Sequence, residues 1–539
     1  MMTEDASIES ISATSEGQET RAAILRFLAV SLTLILACVS TYVLPAFASL
    51  RPWVPGEALP LERLAFWGED TQKEDLSLGF AGEGYGAGDD TQVEQEIEEL
   101  LGASVAANLG AVMDEAQPTP ETSKSEPVPV EKVEAKATEK PPEKQVRVDP
   151  GELEGLVVEI EDPEGKALAP FYEKLRRVAL GEDKTIARIS HYGDSTIAAD
   201  GITQTLRRRL QAKYGDAGHG YLLIARGSMP YGHKNVYHWA DDSWELYPIL
   251  RDSLRDGWYG FGGVQYRSLG GSKARFGTTD KGPVGRSVSR FEIHYQKHKR
   301  GGVFSYSLDK GDHVRVQTRV PVQEDAWEVI EVPDGQHRLE IRARGKGQSR
   351  LYGVVMEREG PGVVYDSLGI VGARAKRLMN AEQEHMSRQI SHRSPDLLIL
   401  AFGGNEAGDR HMRMSRYEEV LTDVVRFMRK GNEEMPCLLF SPLDQAERNE
   451  RGRVKTIPII PKIVETQRKV ALAEGCGFFD AFSAMGGKQS MARWYRAKPR
   501  LAWGDFRHAT PAGYEVMGNM FYKALLKGFK DHLERGATK

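Results

Sequence analysis

The sequence predicts an α/β protein: a parallel sheet covered by helices on both faces, interrupted by an inserted antiparallel β-sandwich. Three observations carry this. In two blocks, 166–232 and 362–539, helical apolar stripes alternate with short apolar runs, the pattern of strands joined by helical crossovers. Between them, 233–361 is a series of short runs of alternating polarity separated by Gly, Asp and Pro, the pattern of an antiparallel module. Ahead of both, Phe27 to Leu50 carries no charge and is long enough to span a bilayer.

A chain of 539 residues with 40% hydrophobic content can bury a sizeable core. Its formal net charge of -5 offers no electrostatic footprint for nucleic acid, which is excluded as a partner. Cys38, Cys437 and Cys476 show neither zinc-ligand spacing nor a disulfide framework, and no His-Glu-x-x-His occurs. No metal or cofactor is therefore expected.

Residues 1–26 read as a cytoplasmic tail and 27–50 as a signal-anchor helix that ties the protein to the membrane. The acidic tail is long for a signal peptide, yet Ala46-Phe47-Ala48 has the form of a cleavage site, so secretion after cleavage near Ala48 is the alternative. Either way the rest of the chain is exported. Residues 51–165, rich in Pro, Glu, Lys, Ala and Thr, lack the apolar surface to offset chain entropy and read as a disordered linker. Within it, Val93 to Val112 has helical apolar spacing. The glycines from Gly82 to Gly88 lack the strand and the Lys-Ser/Thr of a phosphate loop.

The first block opens with a helix over Pro170 to Leu180, then an apolar run from Thr185 that leads into Gly193-Asp194-Ser195. A second helix follows Asp200, with Ile202, Leu206, Leu210 and Tyr214 on one stripe and Gly215 placed to end it. In the inserted module Pro333-Asp334-Gly335 is expected to be a turn between strands. The aromatics Tyr231, Tyr237, Trp239, Trp244, Tyr247, Trp258 and Tyr259 suit sugar stacking where exposed and the core where buried. The second block alternates strand 363–370, one helix over 374–390, the buried strand 397–402, and a helix over 417–430. Strand 437–444, helix 461–473, strand 477–482 and a last helix from Pro511 complete it.

A serine at the carboxyl end of a strand sits where open α/β sheets place reactive groups, but needs a base beside it. Asp505 and His508, three apart before a helix that Thr510 can cap and Pro511 can open, allow a carboxylate to reach Nδ1 and leave Nε2 for the serine proton. Gly369-Ile370-Val371-Gly372 and Gly403-Gly404-Asn405 end two further strands, and Gly372 and Asn405 are candidate donors to an oxyanion.

The order Ser, Gly, Asn, Asp-x-x-His resembles the SGNH (GDSL-type) hydrolase superfamily over about 166–232 and 362–530. The strings YGDSTIAADGIT, GGNEAGDR and DFRHATPAGYE are similar to its bacterial peptidoglycan O-acetylesterase-like branch, whose members insert a carbohydrate-binding-like β-sandwich between the first two motifs. The resemblance implies a three-layer α/β/α fold, Ser195 as nucleophile, Asp505 and His508 completing the triad, and Ser195, Gly372 and Asn405 forming the oxyanion hole. It implies an esterase that removes O-acetyl groups from a cell-envelope polysaccharide, peptidoglycan first. The alternatives are O-acetyl transfer by the same residues, or a non-catalytic glycan-binding protein. Thr196 stands where the branch usually has His, and Gly404 where it commonly has Thr; neither removes a reacting group, but Thr196 bears on substrate preference.

Overall fold

A computed structural model describes residues 146–537 apart from 227–230, 251–253 and 450–451. The tail, the apolar segment 27–50, the glycine-rich stretch, the helical island from Val93 to Val112, Cys38 and the linker up to 145 lie outside the described residues. Among the described residues no helix is long and apolar enough to cross a membrane.

Strands β1 (Ile186–Gly193), β13 (Gly362–Gly369), β14 (Leu397–Ala401), β15 (Cys437–Phe440) and β18 (Gly477–Phe479) form a parallel sheet in the order β13-β1-β14-β15-β18. Successive side chains on a strand point to opposite faces, and here both faces are apolar. Ile189, Leu397, Ile399 and Leu438 enter one core with helices α1 (Ala169–Leu180), α3 (Gly201–Tyr214) and α9 (Pro511–Ala537). Tyr192, Leu398, Leu400 and Leu439 enter the other with α4 (Gln383–Arg393), α5 (Met414–Arg429) and α6 (Ile460–Ala473). Short helices α2 (Ser195–Ala198), α7 (Ala481–Ala484) and α8 (Ser490–Arg496) and the hairpin β16 (Ala446–Arg448) with β17 (Val454–Thr456) fill the loops. The stripe Ile202, Leu206, Leu210 and Tyr214 is buried on α3.

Between β1 and β13 the chain builds two antiparallel sheets. One has the order β10 (Glu324–Gly335), β7 (Val288–Lys297), β12 (Ser349–Glu357), β5 (Val264–Ser268), β4 (Glu245–Pro248), with β2 (Gly218–Leu223) also paired to β12. The other runs β3 (Val236–Ala240), β6 (Lys273–Thr278), β11 (Arg338–Gly345), β8 (Val303–Leu308), β9 (Val314–Gln317). Phe291, Ile293 and Tyr295 of β7 share a core with Phe276, Phe304 and Leu339 of the second sheet, and this core is continuous with the α4–α6 side of the parallel sheet.

Several local expectations are corrected, the first at the end of the linker: read as disordered to 165, the chain is ordered from 146, with a 3₁₀ turn at Pro150–Leu153 and the Glu161 amide bonded to the Phe478 carbonyl at 2.8 Å. Pro333-Asp334-Gly335 lies within β10, where the register to β7 shifts between Glu331 and Gly335. A proline has no N–H for the ladder, and a bulge on this edge strand absorbs it. The helix expected over 374–390 is a 3₁₀ turn (Ala375–Asn380) and then α4. The break falls at Glu382, whose carboxylate accepts from the amides of Glu384 and His385 and so starts a new helix. Of the aromatics, Tyr231, Trp244 and Tyr259 are buried while Trp239 is 42% exposed. Lastly, Cys437 and Cys476 form a disulfide. Leu438 and Gly477 are register partners on β15 and β18, which brings the two preceding residues together across a 39-residue separation. Closing a loop of that length is worth about 4 kcal/mol on a chain-entropy basis.

Candidate active site

In the parallel sheet Gly193 of β1 is in register with Gly369 of β13 and Ala401 of β14. The three loops that follow therefore leave one edge side by side: Ser195 two residues beyond Gly193, Gly372 three beyond Gly369, Asn405 four beyond Ala401. Asp194 turns the chain at the end of β1. Its carboxylate accepts from the Thr196 amide (3.0 Å) and hydroxyl (2.9 Å), capping α2 and setting Ser195 at the helix start. This turn lies against β13 so closely that a Cβ on Gly369 would collide with the backbone nitrogen of Ala198.

Gly372 has φ +78° with open space where a Cβ would stand, and the Ala373 amide closes the turn on the Ile370 carbonyl at 3.0 Å. Asn405 Nδ2 donates to the Ala373 carbonyl (2.9 Å) and lies 3.5 Å from Asp194 Oδ2, so its amide joins all three loops. Glu406 braces them from beneath. Its two carboxylate oxygens accept from the Ala375 amide (2.8 Å) and the Gly403 amide (3.0 Å).

The base comes from the last loop. Ala502 and Ala509 pair as an isolated bridge, the Trp503 amide bonds the His508 carbonyl at 2.9 Å, and Phe506 turns the chain with φ +53°. Buried Phe506 packs edge-on against Tyr495, while its carbonyl accepts from the Ala446 amide. Thr510 caps α9, accepting from the Gly513 amide at 3.2 Å, and Pro511 opens it. Within this turn Asp505 Oδ1 accepts from the amides of Arg507 (3.0 Å) and His508 (3.1 Å), and Oδ2 lies 2.6 Å from His508 Nδ1. His508 Nε2 is 3.0 Å from Ser195 Oγ, across 313 residues of chain.

The electrostatics follow. Burial would raise Asp505, but the hydrogen bond from His508 and the Arg507 amide hold its carboxyl below the usual range, so it stays an anion facing the imidazole. Burial pushes Asp194 up, against the bonds from Thr196. Burial pushes Glu406 further, to about 7, and its two amide donors only partly offset this. The structure thus brings Ser195, His508 and Asp505 into one hydrogen-bonded line, and joins the loops of Gly372 and Asn405 through Ala373. Asp194 and Glu406 were not singled out from the sequence. Their signal was present, since each adjoins a chosen residue in Gly-Asp-Ser and Gly-Asn-Glu.

A hydroxyl, an imidazole and a carboxylate in that order, at the carboxyl edge of a parallel α/β sheet, make up the layout of a serine hydrolase. The sequence profile of the GDSL-like lipase/acylhydrolase family matches residues 335–516. Residues 335–516 thus carry a GDSL-like lipase/acylhydrolase domain, and the protein has the site of an esterase. The matched stretch contains Gly372, Asn405, Asp505 and His508 and begins after Ser195, because the antiparallel module separates the serine from the rest. No curated protein sequence matches the chain. Among solved structures, the fold is similar to one described as "Peptidoglycan O-acetylesterase in action", with 22% identity over 69% of this chain and 99% of that one and a TM-score of 0.58. Much looser likenesses include a family two carbohydrate esterase from Cellvibrio japonicus (11% identity, 55% of this chain and 99% of that one, TM-score 0.22). A salicylyl-acyltransferase from a tetracycline biosynthetic pathway stands at 15% identity, 55% and 96% coverage and a TM-score of 0.25.

Proposed function

We propose that the protein is a membrane-tethered, exported serine esterase that removes O-acetyl groups from a cell-envelope polysaccharide, peptidoglycan being the first choice. The observation that carries this is the line Ser195 Oγ, His508 Nε2, His508 Nδ1, Asp505 Oδ2, with separations of 3.0 and 2.6 Å. As Ser195 Oγ attacks the acetyl carbonyl, its proton passes to Nε2, and Asp505 stabilises the imidazolium while holding its tautomer. The Ser195 and Gly372 amides and the Asn405 side-chain amide serve as donors to the oxyanion. Collapse expels the sugar alkoxide, which takes the proton from Nε2 and leaves an acetyl-enzyme. Water, deprotonated by His508, then releases acetate and returns the proton to Ser195.

Two features support a glycan substrate. Trp503, in the same turn as the base, is 39% exposed and offers a flat apolar face to a sugar ring. On the inserted module Trp239 and Tyr237 are overlain by the guanidiniums of Arg275 and Arg338, at 4.9 and 3.9 Å from the ring centroids, a surface suited to orienting a polysaccharide. The uncharged segment 27–50 and the Cys437–Cys476 disulfide support export into an oxidising compartment, with the linker giving the enzyme reach from the membrane.

The test is acetate release from O-acetylated peptidoglycan and from an aryl acetate. Ser195→Ala is expected to lower kcat by at least about 10⁴-fold on both. Unchanged turnover overturns the assignment. Acetyl transfer to an added glycan in place of acetate release identifies a transferase working through the same residues.

A further inference from the structure

A second cluster of reactive side chains lies toward the opposite edge of the parallel sheet. There a cleft of about 730 Å³ opens beside the first residue of β1, Ile186, the turn before β13 at Gly360, and Ser394 after α4. Glu292 and His392 face into it, and His294 lies behind them, fully buried. Glu292 Oε1 is 2.8 Å from His294 Nε2 and 2.6 Å from His392 Nε2, and the three donor atoms all lie within 4.8 Å of one another. The other carboxylate oxygen, Oε2, is taken by Arg290, which turns Oε1 toward both rings. His392 is held in plane by Trp327, stacked at 3.9 Å and 15°.

We propose that Glu292, His294 and His392 form a transition-metal site, with Zn²⁺ as the fitting ion. Two imidazoles and one carboxylate suit zinc or its borderline neighbours, whereas calcium and magnesium take oxygen ligands. The donor types fit a three-ligand site whose fourth position faces the cleft. A tetrahedral site with bonds near 2.0–2.2 Å needs donors about 3.3 Å apart, so the two carboxylate contacts must each open by roughly half an ångström. His392, in the last turn of α4 and 31% exposed, has the freedom to allow this.

His294 is the second, independent observation. Among the described residues its Nδ1 is buried with no hydrogen-bond partner, and its Nε2 meets only the Glu292 carboxylate, at 2.8 Å. A buried ring in that condition is unusual unless something binds it.

The position argues for a clip. Glu292 and His294 belong to β7 of the antiparallel module, while His392 ends the helix that leads into β14 of the parallel sheet. Ser195 lies beyond the far end of β1, whose eight residues span roughly 26 Å. A metal here joins the two parts of the fold without reaching the reacting atoms.

The experiment uses the full chain in detergent, stripped with a chelator and dialysed against Zn²⁺ or Co²⁺, with metal content read by elemental analysis. One Zn²⁺ per chain is expected to remain on the wild type and on Ser195→Ala. Co²⁺ is expected to give visible bands of a four- or five-coordinate site. His392→Ala and Glu292→Gln are expected to lose both signals, and Zn²⁺ to raise the Tm of the wild type and of Ser195→Ala but of neither ligand variant. His392 is partly exposed, so its variant keeps the test decisive should His294→Ala fail to fold. Absence of retained metal on the wild type overturns the proposal, as does equal retention by His392→Ala.

Discussion

At the carboxyl edge of the parallel sheet, Asp194 and Glu406 are buried against amides and a hydroxyl, and burial raises both, Glu406 to about 7. At the amino edge Glu357 is buried as deeply, yet its carboxyl sits at about 2. Burial acts on it in the same direction. It is outweighed by Arg393, whose Nη1 is 2.5 Å from Oε1, and by Arg188, which bonds both oxygens at 3.0 and 2.9 Å. Arg393 also forks onto Asp366 at 2.9 and 2.8 Å. One edge is neutralised by buried guanidiniums and serves to hold the fold. The other braces its loops with carboxylates that meet only neutral donors, so the charge developed by the reaction is not screened by a resident salt bridge. Burial alone does not decide a carboxylate's state; the partner does.

Three changes test this contrast. The largest effect is expected from Glu357→Ala. It leaves Arg188 without its bidentate partner and Arg393 with Asp366 alone, and removing one member of a buried pair costs about 3–5 kcal/mol. Chemical denaturation should show this loss, while the surviving folded protein keeps its aryl-acetate turnover. Next, Asn405→Ala at the reactive edge is expected to lower kcat by about 10²–10³-fold, or roughly 3–4 kcal/mol of barrier, with KM little changed. A proportional rise in KM instead would mean that the amide binds the ground state.

The smallest effect concerns pH. Glu406 rises from an ordinary 4.5 to about 7 on folding. Its contribution to stability is therefore full below pH 4.5 and is lost as pH rises through 7, about 3 kcal/mol in all. Glu357 runs the other way: its contribution is present above pH 4.5 and is lost as pH falls toward 2. Between pH 5 and 8 the wild type should lose about 2.5 kcal/mol more stability than Glu406→Gln in urea melts. Parallel pH profiles for the two proteins would show that Glu406 does not titrate in this window.

Local patterns were the most legible part of the sequence. The alternation of stripes and apolar runs placed the parallel strands and their helices to within a few residues, because a strand buried on both faces is apolar along most of its length. Thr510 and Pro511 marked the start of α9 because capping is a contact within one turn. Where a local signal competed with a distant partner, it failed. The stripe from Arg374 to Ile390 hides the break that Glu382 makes, and Pro333-Asp334-Gly335 has turn chemistry but sits in an edge-strand bulge.

Ser195, Gly372, Asn405, Asp505 and His508 could be chosen from sequence because each stands in a short string whose local geometry is self-contained. Those strings determine the strand ends, the caps and the turn in which Asp505 meets His508. Only the tertiary structure decided that His508 Nε2 stands 3.0 Å from Ser195 Oγ, because strand order and register set that distance. It likewise decided the Cys437–Cys476 bond, the bracing by Glu406 and the meeting of Glu292, His294 and His392. In each of these the chemistry depends on residues on different elements, and their approach is fixed by how strands and helices pack against one another.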